Sequence, residues 1–527
     1  MPACSVSRAP GTCPVWFGAT GCALLDQPTS RDQLPEAPSI EAKSARRLVL
    51  AAVMMATFMA AMESSIVATA MPTIVAELGG FHLFSWAFAA YLLPQAVTIP
   101  IYGRLADLYG RKRVFFAGAG LFLFASTLCG LAWGMLPLVL FRALQGAGAG
   151  AIQPIAITII GDIYQPTERA RVQGYISGVF GVAAIIGPML GAFLVEHVTW
   201  SLVFWINLPI GAVTFLMFGL FLHESQAPRR HRIDYLGSSL MMFGAGALML
   251  ALVEVGNSGE VATIASLTAG GVIALLALAA HERGAAEPIL PLKLWRNRVI
   301  AVGSLSGFTG GMVMMSINAF LPLYVQGAMG RGPAAAGLAL GAASVSWTFA
   351  SVAAGRLMIR TSYRLAATVG GAFLIAGTLV LMTLGPASGL PWAGAGSLLI
   401  GTGMGFCNTA FLVSTQASAG WNERGMATSS IMFMRIVGNS VGAAVFGAIL
   451  NFGINRRIPE AGDAVNRLLE PAARHGLGAA EIGRLSEAVA SSLHIVYVVA
   501  GLVAVVSLFL ALSLPTRLSP TRPLTRR

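Results

Sequence analysis

Two acids, Glu63 and Glu254, and two arginines, Arg142 and Arg435, interrupt long apolar stretches of this 527-residue chain. A charge at the centre of a bilayer costs about 2.5–3.5 kcal/mol on insertion scales, so such residues mark function by default. A carboxyl in that setting is pulled two ways. Desolvation favours its protonated form, and a neighbouring arginine favours its ionised form. An acid under both influences can bind and release a proton near neutral pH, and a polar or cationic solute can compete with that proton. The chemistry is exchange, and Glu63 is its candidate carrier. The plainer account of Glu63 is an acid paired with an arginine for packing. Glu254 lies near the end of its stretch and is expected at the membrane interface. An arginine inside a span needs a partner, a water-filled cavity or an interfacial position; Arg435 is open between a ligand of backbone carbonyls and a cavity charge.

Further polar or aromatic residues fall within the apolar stretches: Tyr91, Gln95, Gln153, Asn207, Asn318, Tyr324, Phe406, Asn408, Phe411 and Asn439. Tyr91, Gln95, Gln153, Asn318, Tyr324, Asn408 and Arg435 are the candidate walls of a substrate cavity. Packing or interhelical hydrogen bonding is the more ordinary role for each polar one. Other chemistry has little support. The seven histidines form no H-E-x-x-H pair, no G-x-x-x-x-G-K-[ST] phosphate loop occurs, and the five cysteines have neither metal-ligand nor disulfide spacing. No metal, cofactor or enzymatic activity is expected.

The elements that must position these residues are membrane spans. The chain is 56% hydrophobic and only 11% charged, with a net charge of +12; a soluble domain carries about 25% charged residues. A spanning helix needs about 20 mainly apolar residues. Fourteen segments qualify, near 48–70, 83–103, 114–132, 137–161, 171–195, 200–222, 233–255, 263–281, 299–326, 333–355, 365–384, 391–415, 427–451 and 492–514. The seventh and eighth are the weakest, and without them the count is twelve. The basic residues give a second test, because Lys and Arg concentrate in cytoplasmic loops. With the N-terminus inside, the six short outside loops hold only Arg331, and the long outside loop 452–491 holds five basic residues. The excess positive charge therefore points to a membrane surface and not to nucleic acid. Residues 1–47 read as a disordered cytoplasmic tail and 515–527 as a second cytoplasmic tail.

The two halves echo each other. Gly103-Arg104-Leu105 ends span two and Gly355-Arg356-Leu357 ends span ten; Glu168-Arg169 precedes span five and Glu423-Arg424 precedes span thirteen. Spans one to six thus correspond to nine to fourteen. The expected organisation is a bundle over 48–222, a linker over 223–298 with two inserted spans, and a second bundle over 299–514. Paired halves of this kind are a transporter signature, with the substrate site at their interface.

Five motifs carry a resemblance. Gly103-Arg-Leu-Ala-Asp107-Leu-Tyr-Gly110-Arg111-Lys112-Arg113 matches the G-x-L-a-D-x-x-G-R-K/R-K/R signature of the major facilitator superfamily. Its glycines suit a tight turn and close helix approach, and Asp107 can meet a helix N-terminus or an arginine. Phe141-Arg142-Ala-Leu-Gln145-Gly146-Ala-Gly148 resembles the family's R-x-x-Q-G-x-G signature. Span five, with Gly174, Ala183, Gly187, Pro188, Gly191 and Ala192, resembles the antiporter signature, with alanine at two of its glycines. Span one, Met62-Glu63-Ser64-Ser65-Ile66-Val67, is similar to the L-D-x-T-I-V signature of the 14-helix drug:proton antiporters of EmrB/QacA type, with glutamate replacing aspartate. Arg435, Gly438 and Gly442 in span thirteen are similar to that group's R-x-x-G-x-x-x-G.

The resemblance covers residues 48 to about 451. It implies an all-α membrane protein of two six-helix bundles plus two inserted helices, 14 in all. It implies a multi-pass inner-membrane exporter whose partners are a small-molecule substrate, protons and membrane lipid. Arg142 is then the candidate that tunes Glu63, because the family places both signatures around the central cavity; the sequence does not show that they touch. The motif Gly103, Asp107, Gly110, Arg111, Lys112 and Arg113 is implied to serve conformational change. Multidrug efflux is the expected activity, and export of one metabolite, antibiotic or lipid is the alternative. A periplasmic adaptor is left open.

Overall fold

The structure is a computed structural model that describes residues 40–164, 166–222, 234–256, 260–284, 294–420, 423–458, 462–469, 474 and 476–515. The expected tails, apart from 40–47 and 515, lie outside these residues. The chain divides into two compact units, Met1–Ser44 and Ala45–Arg527, and every candidate membrane span lies in the second.

Among the described residues, fourteen helical stretches are long and apolar enough to cross a membrane. Helices suit these sequences because a bilayer offers no water to satisfy backbone N–H and C=O groups. In chain order they are α1 (Ile40–Leu78), α2 (Trp86–Tyr109), α3 (Arg111–Gly130), α4 (Met135–Ile163), α5 (Pro166–His197), the short α6 (Leu202–Trp205) and α7 (Asn207–Phe221), which together make span six, α8 (Tyr235–Gly256) and α9 (Val261–Gly284). Then come α10 (Arg298–Asn318) with α11 (Phe320–Leu323) as span nine, α12 (Pro333–Arg360), α13 (Tyr363–Met382), α14 (Leu390–Ser418), α15 (Arg424–Arg457), the short α16 (Gly462–Leu469) and α17 (Ala479–Leu512). The seventh and eighth spans both qualify, which answers the question of twelve or fourteen.

Turns are set by glycine and by caps. Gly79, Gly80, Gly110 and Gly330 adopt positive φ, which other residues resist. Asn297 and Ser362 cap their helices by accepting hydrogen bonds from the Val299 and Leu365 N–H groups. The signature between spans two and three is less a loop than expected. Gly103 to Tyr109 complete α2, Gly110 alone makes the turn, and Arg111 opens α3. The long segment 452–491 is largely helical in its described part: α15 runs on to Arg457, α16 comes next, and α17 begins at Ala479.

Glycines set the helix packing, and they repeat between halves. A Cβ on Gly146 would sit 2.0 Å from the Tyr91 carbonyl oxygen, and one on Gly150 2.1 Å from Thr98 Oγ1, both on α2; one on Gly148 would sit 2.4 Å from the Phe122 nitrogen on α3. Gly401 and Gly405 of α14 press in the same way on Ala343 and Trp347 of α12, and Gly403 on Gly370 of α13. The fourth span of each bundle thus carries G-x-G-x-G, which alternates between two neighbours. Small residues let backbones approach where packing, not hydrophobic expulsion, drives association.

The end of the molecule bearing Arg104 and Arg111–Arg113 is the basic face. Hydrogen bonds between bundles cluster in the half away from it. Gln326 Nε2 donates to the Thr69 carbonyl (3.1 Å), Asn451 Nδ2 to the His82 carbonyl (2.9 Å), Ser440 Oγ to the Ala89 carbonyl (3.3 Å) and the Ala334 N–H to Glu196 Oε1 (3.0 Å). α16 touches both the turn Phe81–Leu83 of the first bundle and the turn Tyr324–Ala328 of the second. The inserted pair packs on itself, joined by His281 Nε2 and Asp234 Oδ1 at 2.8 Å; α8 also leans on α2 and α15, one helix from each bundle.

Candidate functional site

Glu63 lies halfway along α1 and is fully buried. Its two oxygens have different partners. Oε1 accepts from Arg142 Nη1 in a close ion pair, and Oε2 accepts from Asn207 Nδ2 at 2.6 Å. Arg142 Nη1 also donates to Gln145 Oε1 (2.7 Å) and its Nε to the Ala87 carbonyl (3.1 Å). Gln145 Nε2 donates to Ser126 Oγ at 2.7 Å. The guanidinium lies 4.2 Å from the Tyr91 ring centroid and 5.8 Å from that of Phe204, within cation–π range. Spans one, two, three, four and six thus meet on one carboxylate.

Local sequence explains the convergence. Arg142 and Gln145 are three residues apart and share one helix face, while Gly146, one residue on, brings α4 onto Tyr91. Span six breaks at Ile206, between α6 and α7. Pro209 has no N–H for the carbonyl four residues earlier, and Asn207 projects at this break. The two charges depend on each other, because removing one partner of such a buried pair costs about 3–5 kcal/mol.

The antiporter-like motif of α5 braces this centre. A Cβ on Gly187 would sit 2.0 Å from Ser65 Oγ, and one on Gly191 2.5 Å from Thr69 Oγ1. Ser65 Oγ donates to the Ala183 carbonyl (3.4 Å) and Thr69 Oγ1 to the Pro188 carbonyl (3.3 Å). Two signatures far apart in sequence are the two sides of one helix contact. Gly438 and Gly442 of α15 play the same part against Phe308 and Met312 of α10. Gly174 lies within α5.

At the basic face, Asp107 meets Arg111 at 3.3 Å, and Arg111 Nε reaches Asp162 Oδ2 at 2.6 Å. One arginine partner of Asp107 is thus the signature's own, and Asp162 at the end of α4 is a member that sequence reading missed. Lys112 Nζ donates to the Gly219 and Leu222 carbonyls, at 2.8 and 3.0 Å, closing the end of span six. Arg113 is exposed. Gly103 does not serve close approach here: a Cβ there meets nothing within 4 Å.

The cavity candidates divide. Gln95, Gln153, Asn318, Asn408 and Arg435 are partly exposed, and their side chains make no hydrogen bond or ion pair among the described residues. Tyr91 belongs to the charged cluster, its hydroxyl buried without a partner. Tyr324 lines no opening: it is wholly buried, donates to the Leu384 carbonyl at 2.8 Å, and packs against His494 and Tyr497. Glu254 is partly exposed, while Glu282 in the last turn of α9 is buried, a second acid not expected there.

The family model described as Major Facilitator Superfamily matches residues 53–443. This chain belongs to the major facilitator superfamily. It is 34% identical over 414 residues to the multidrug transporter protein MdtP of Bacillus subtilis (strain 168), covering 78% of this chain and 76% of that one. It is 33% identical over 409 residues to multidrug resistance protein 3 of the same organism, covering 77% and 80%, and 32% identical over 463 residues to efflux pump FUS6 of Gibberella moniliformis, covering 84% and 82%. The fold resembles the crystal structure of a bacterial homolog of the human lysosomal transporter Spinster, with TM-score 0.64, 17% identity, and 91% of this chain and 100% of that one covered. It also resembles an auto-inhibited peptide transporter of the POT family, with TM-score 0.63, 14% identity, and 91% and 99% covered. As a major facilitator protein with fourteen candidate spans, it is a multi-pass membrane transporter.

Proposed function

We propose that this transporter is a proton-coupled multidrug efflux antiporter of the inner membrane, with both termini and the basic face in the cytoplasm. Glu63 is its proton carrier. The observation that carries this reading is the wholly buried carboxylate held by Arg142 and Asn207, braced by the antiporter-like crossing of α1 and α5. Protonation of Glu63 removes the charge that holds Arg142. The freed arginine changes what the pair contributes to each conformation, and a ligand shifts a conformational equilibrium only by such a difference. Gln95, Gln153, Asn318, Asn408 and Arg435, partly exposed and without side-chain hydrogen bonds among the described residues, are the candidate substrate contacts. Relatives named as a multidrug transporter and a multidrug resistance protein support a broad set of substrates.

Dye efflux from cells expressing wild type, Glu63→Gln and Arg142→Ala, with and without a protonophore, tests the reading. Wild type should accumulate dye when the protonophore is added, and Glu63→Gln should behave like poisoned wild type. Uphill pumping by Glu63→Gln at the wild-type rate refutes the assignment.

One relative is named as a transporter of an acurin A biosynthesis cluster, 31% identical over 437 residues. It supports the second reading, a dedicated exporter of one metabolite, antibiotic or lipid. Competition among unrelated dyes separates the two: mutual inhibition belongs to a multidrug pump.

A further inference from the structure

We infer that Asn207 is the positioning residue that reads the protonation state of Glu63, by turning its side-chain amide over. The inference rests on Glu63 as proton carrier and adds what makes its two states reachable inside a dry bundle.

An ionised carboxylate is an acceptor only, whereas a protonated one must also donate. A buried group left without its hydrogen bond pays its full desolvation cost. Glu63 therefore needs a neighbour that can serve both states. Arg142 cannot do so, because a guanidinium has donors and no acceptor. Tyr91 presents its ring face to Arg142, and Cys129 Sγ is directed at Gln145 Oε1, 3.8 Å away. Together with Arg142 these are the titratable groups around Glu63 among the described residues. Ser65 and Thr69, on the same helix, give their hydroxyls to carbonyls.

Asn207 differs from these groups in bonding the Glu63 carboxyl directly through a side chain that carries both a donor and an acceptor. Its Nδ2 donates to Glu63 Oε2 at 2.6 Å, the arrangement an ionised carboxylate requires. Its Oδ1 is buried and has no partner, and the residue is wholly buried. An orphaned acceptor on an amide that touches a proton-binding acid is explained if that acceptor is used in the other state. Once Glu63 takes up a proton from water, a half-turn of the amide brings Oδ1 to the new hydroxyl. Ser126 completes the arrangement. Its oxygen accepts from Nδ2 at 3.4 Å and from Gln145 Nε2, and after the half-turn its own proton can be donated to the amide oxygen that then faces it. Asn207 sits at the break between α6 and α7, so the turn also registers the proton on span six.

The two hydrogen bonds are unequal, because one to a charged group is the stronger. Loss of the amide therefore favours protonated Glu63. The test uses the full-length protein in inside-out proteoliposomes, with ethidium transport driven by an imposed ΔpH and measured against pH. Asn207→Leu and Asn207→Ala should move the pH of half-maximal transport upward by about one unit, a tenfold change in proton activity. An unmoved midpoint in a well-folded variant, with only the maximal rate reduced, overturns the inference and leaves Asn207 as packing.

A measurement on the unsubstituted chain covers the case in which both variants misfold. Infrared difference spectra between acid and alkaline pH, with asparagine isotopically labelled, should show a side-chain amide band that shifts with the protonated-carboxyl band; both should vanish in Glu63→Gln. A carboxyl band without an amide shift also overturns the inference. Full uphill transport by Glu63→Gln would instead overturn the coupling assignment beneath it, so the two failures are distinguishable.

Discussion

At the residue scale, the centre of the molecule is one acid and one base that satisfy each other. Glu63 alone in that setting is costly, and so is Arg142 alone. The two single substitutions should therefore behave differently. Glu63→Gln keeps a neutral side chain of the same shape, and it should abolish uphill dye transport, by at least tenfold, while it spares downhill exchange. Arg142→Ala leaves a buried carboxylate with one donor and a void beside Tyr91. It should both abolish transport and destabilise the protein by about 3–5 kcal/mol, read as a lower melting temperature in detergent. Wild-type stability of Arg142→Ala would show that the arginine is not needed to hold the acid.

At the scale of elements, glycine contacts decide where helices cross. Gly191 has the Thr69 hydroxyl and the Ile66 carbonyl within 2.6 Å of where a Cβ would stand. Gly191→Val must push α5 off α1, against an overpacking cost of about 1–3 kcal/mol. It should reduce efflux at least tenfold, with protein still reaching the membrane, measured by dye efflux normalised to surface abundance. Gly103→Ala is the contrast, since a Cβ there meets nothing within 4 Å. It should leave the melting temperature unchanged. A fall in transport without a fall in stability would mean that Gly103 is crowded only in the alternative conformation, consistent with a signature that serves conformational change.

At the scale of the whole molecule, the bundles are joined in the half away from the basic face. Gly447 of α15 is pressed on Ser85, with the hydroxyl 2.0 Å from where its Cβ would be. Gly447→Leu should wedge the bundles apart there, and a cysteine replacing Asn451 should then react with a membrane-impermeant thiol reagent many-fold faster than in the Gly447 background. The charge inventory gives a second prediction. No carboxylate stands within the apolar stretches 299–326, 333–355, 365–384, 391–415, 427–451 and 492–514, so with Glu63 as sole carrier one proton exchanges per cycle. Efflux of a neutral compound should be electrogenic and efflux of a monocation electroneutral. Each charge moved is worth about 2.3 kcal/mol per 100 mV, enough for imposed voltages in vesicles to discriminate.

The fourteen spans, the pairing of the halves and the family signatures were legible in the amino-acid order, because apolar length, basic loops and short motifs are local properties. Glu63 and Arg142 stood out for the same reason: a charge in an apolar run is conspicuous wherever it points. What the order could not state is who meets whom across 79 or 144 residues. Only the tertiary structure brought Asn207 to Oε2 of Glu63 and gave Arg111 to Asp162. It placed Tyr324 in a packed interior and made the span-one and antiporter signatures faces of one contact. Even the G-x-G-x-G repeat of spans four and twelve, plainly present in the sequence, gained meaning only when its glycines were seen to alternate between two neighbouring helices. Polarity and spacing select the residues that must find partners, but the partner is fixed by helix crossings, and these depend on close packing summed over both faces of every helix.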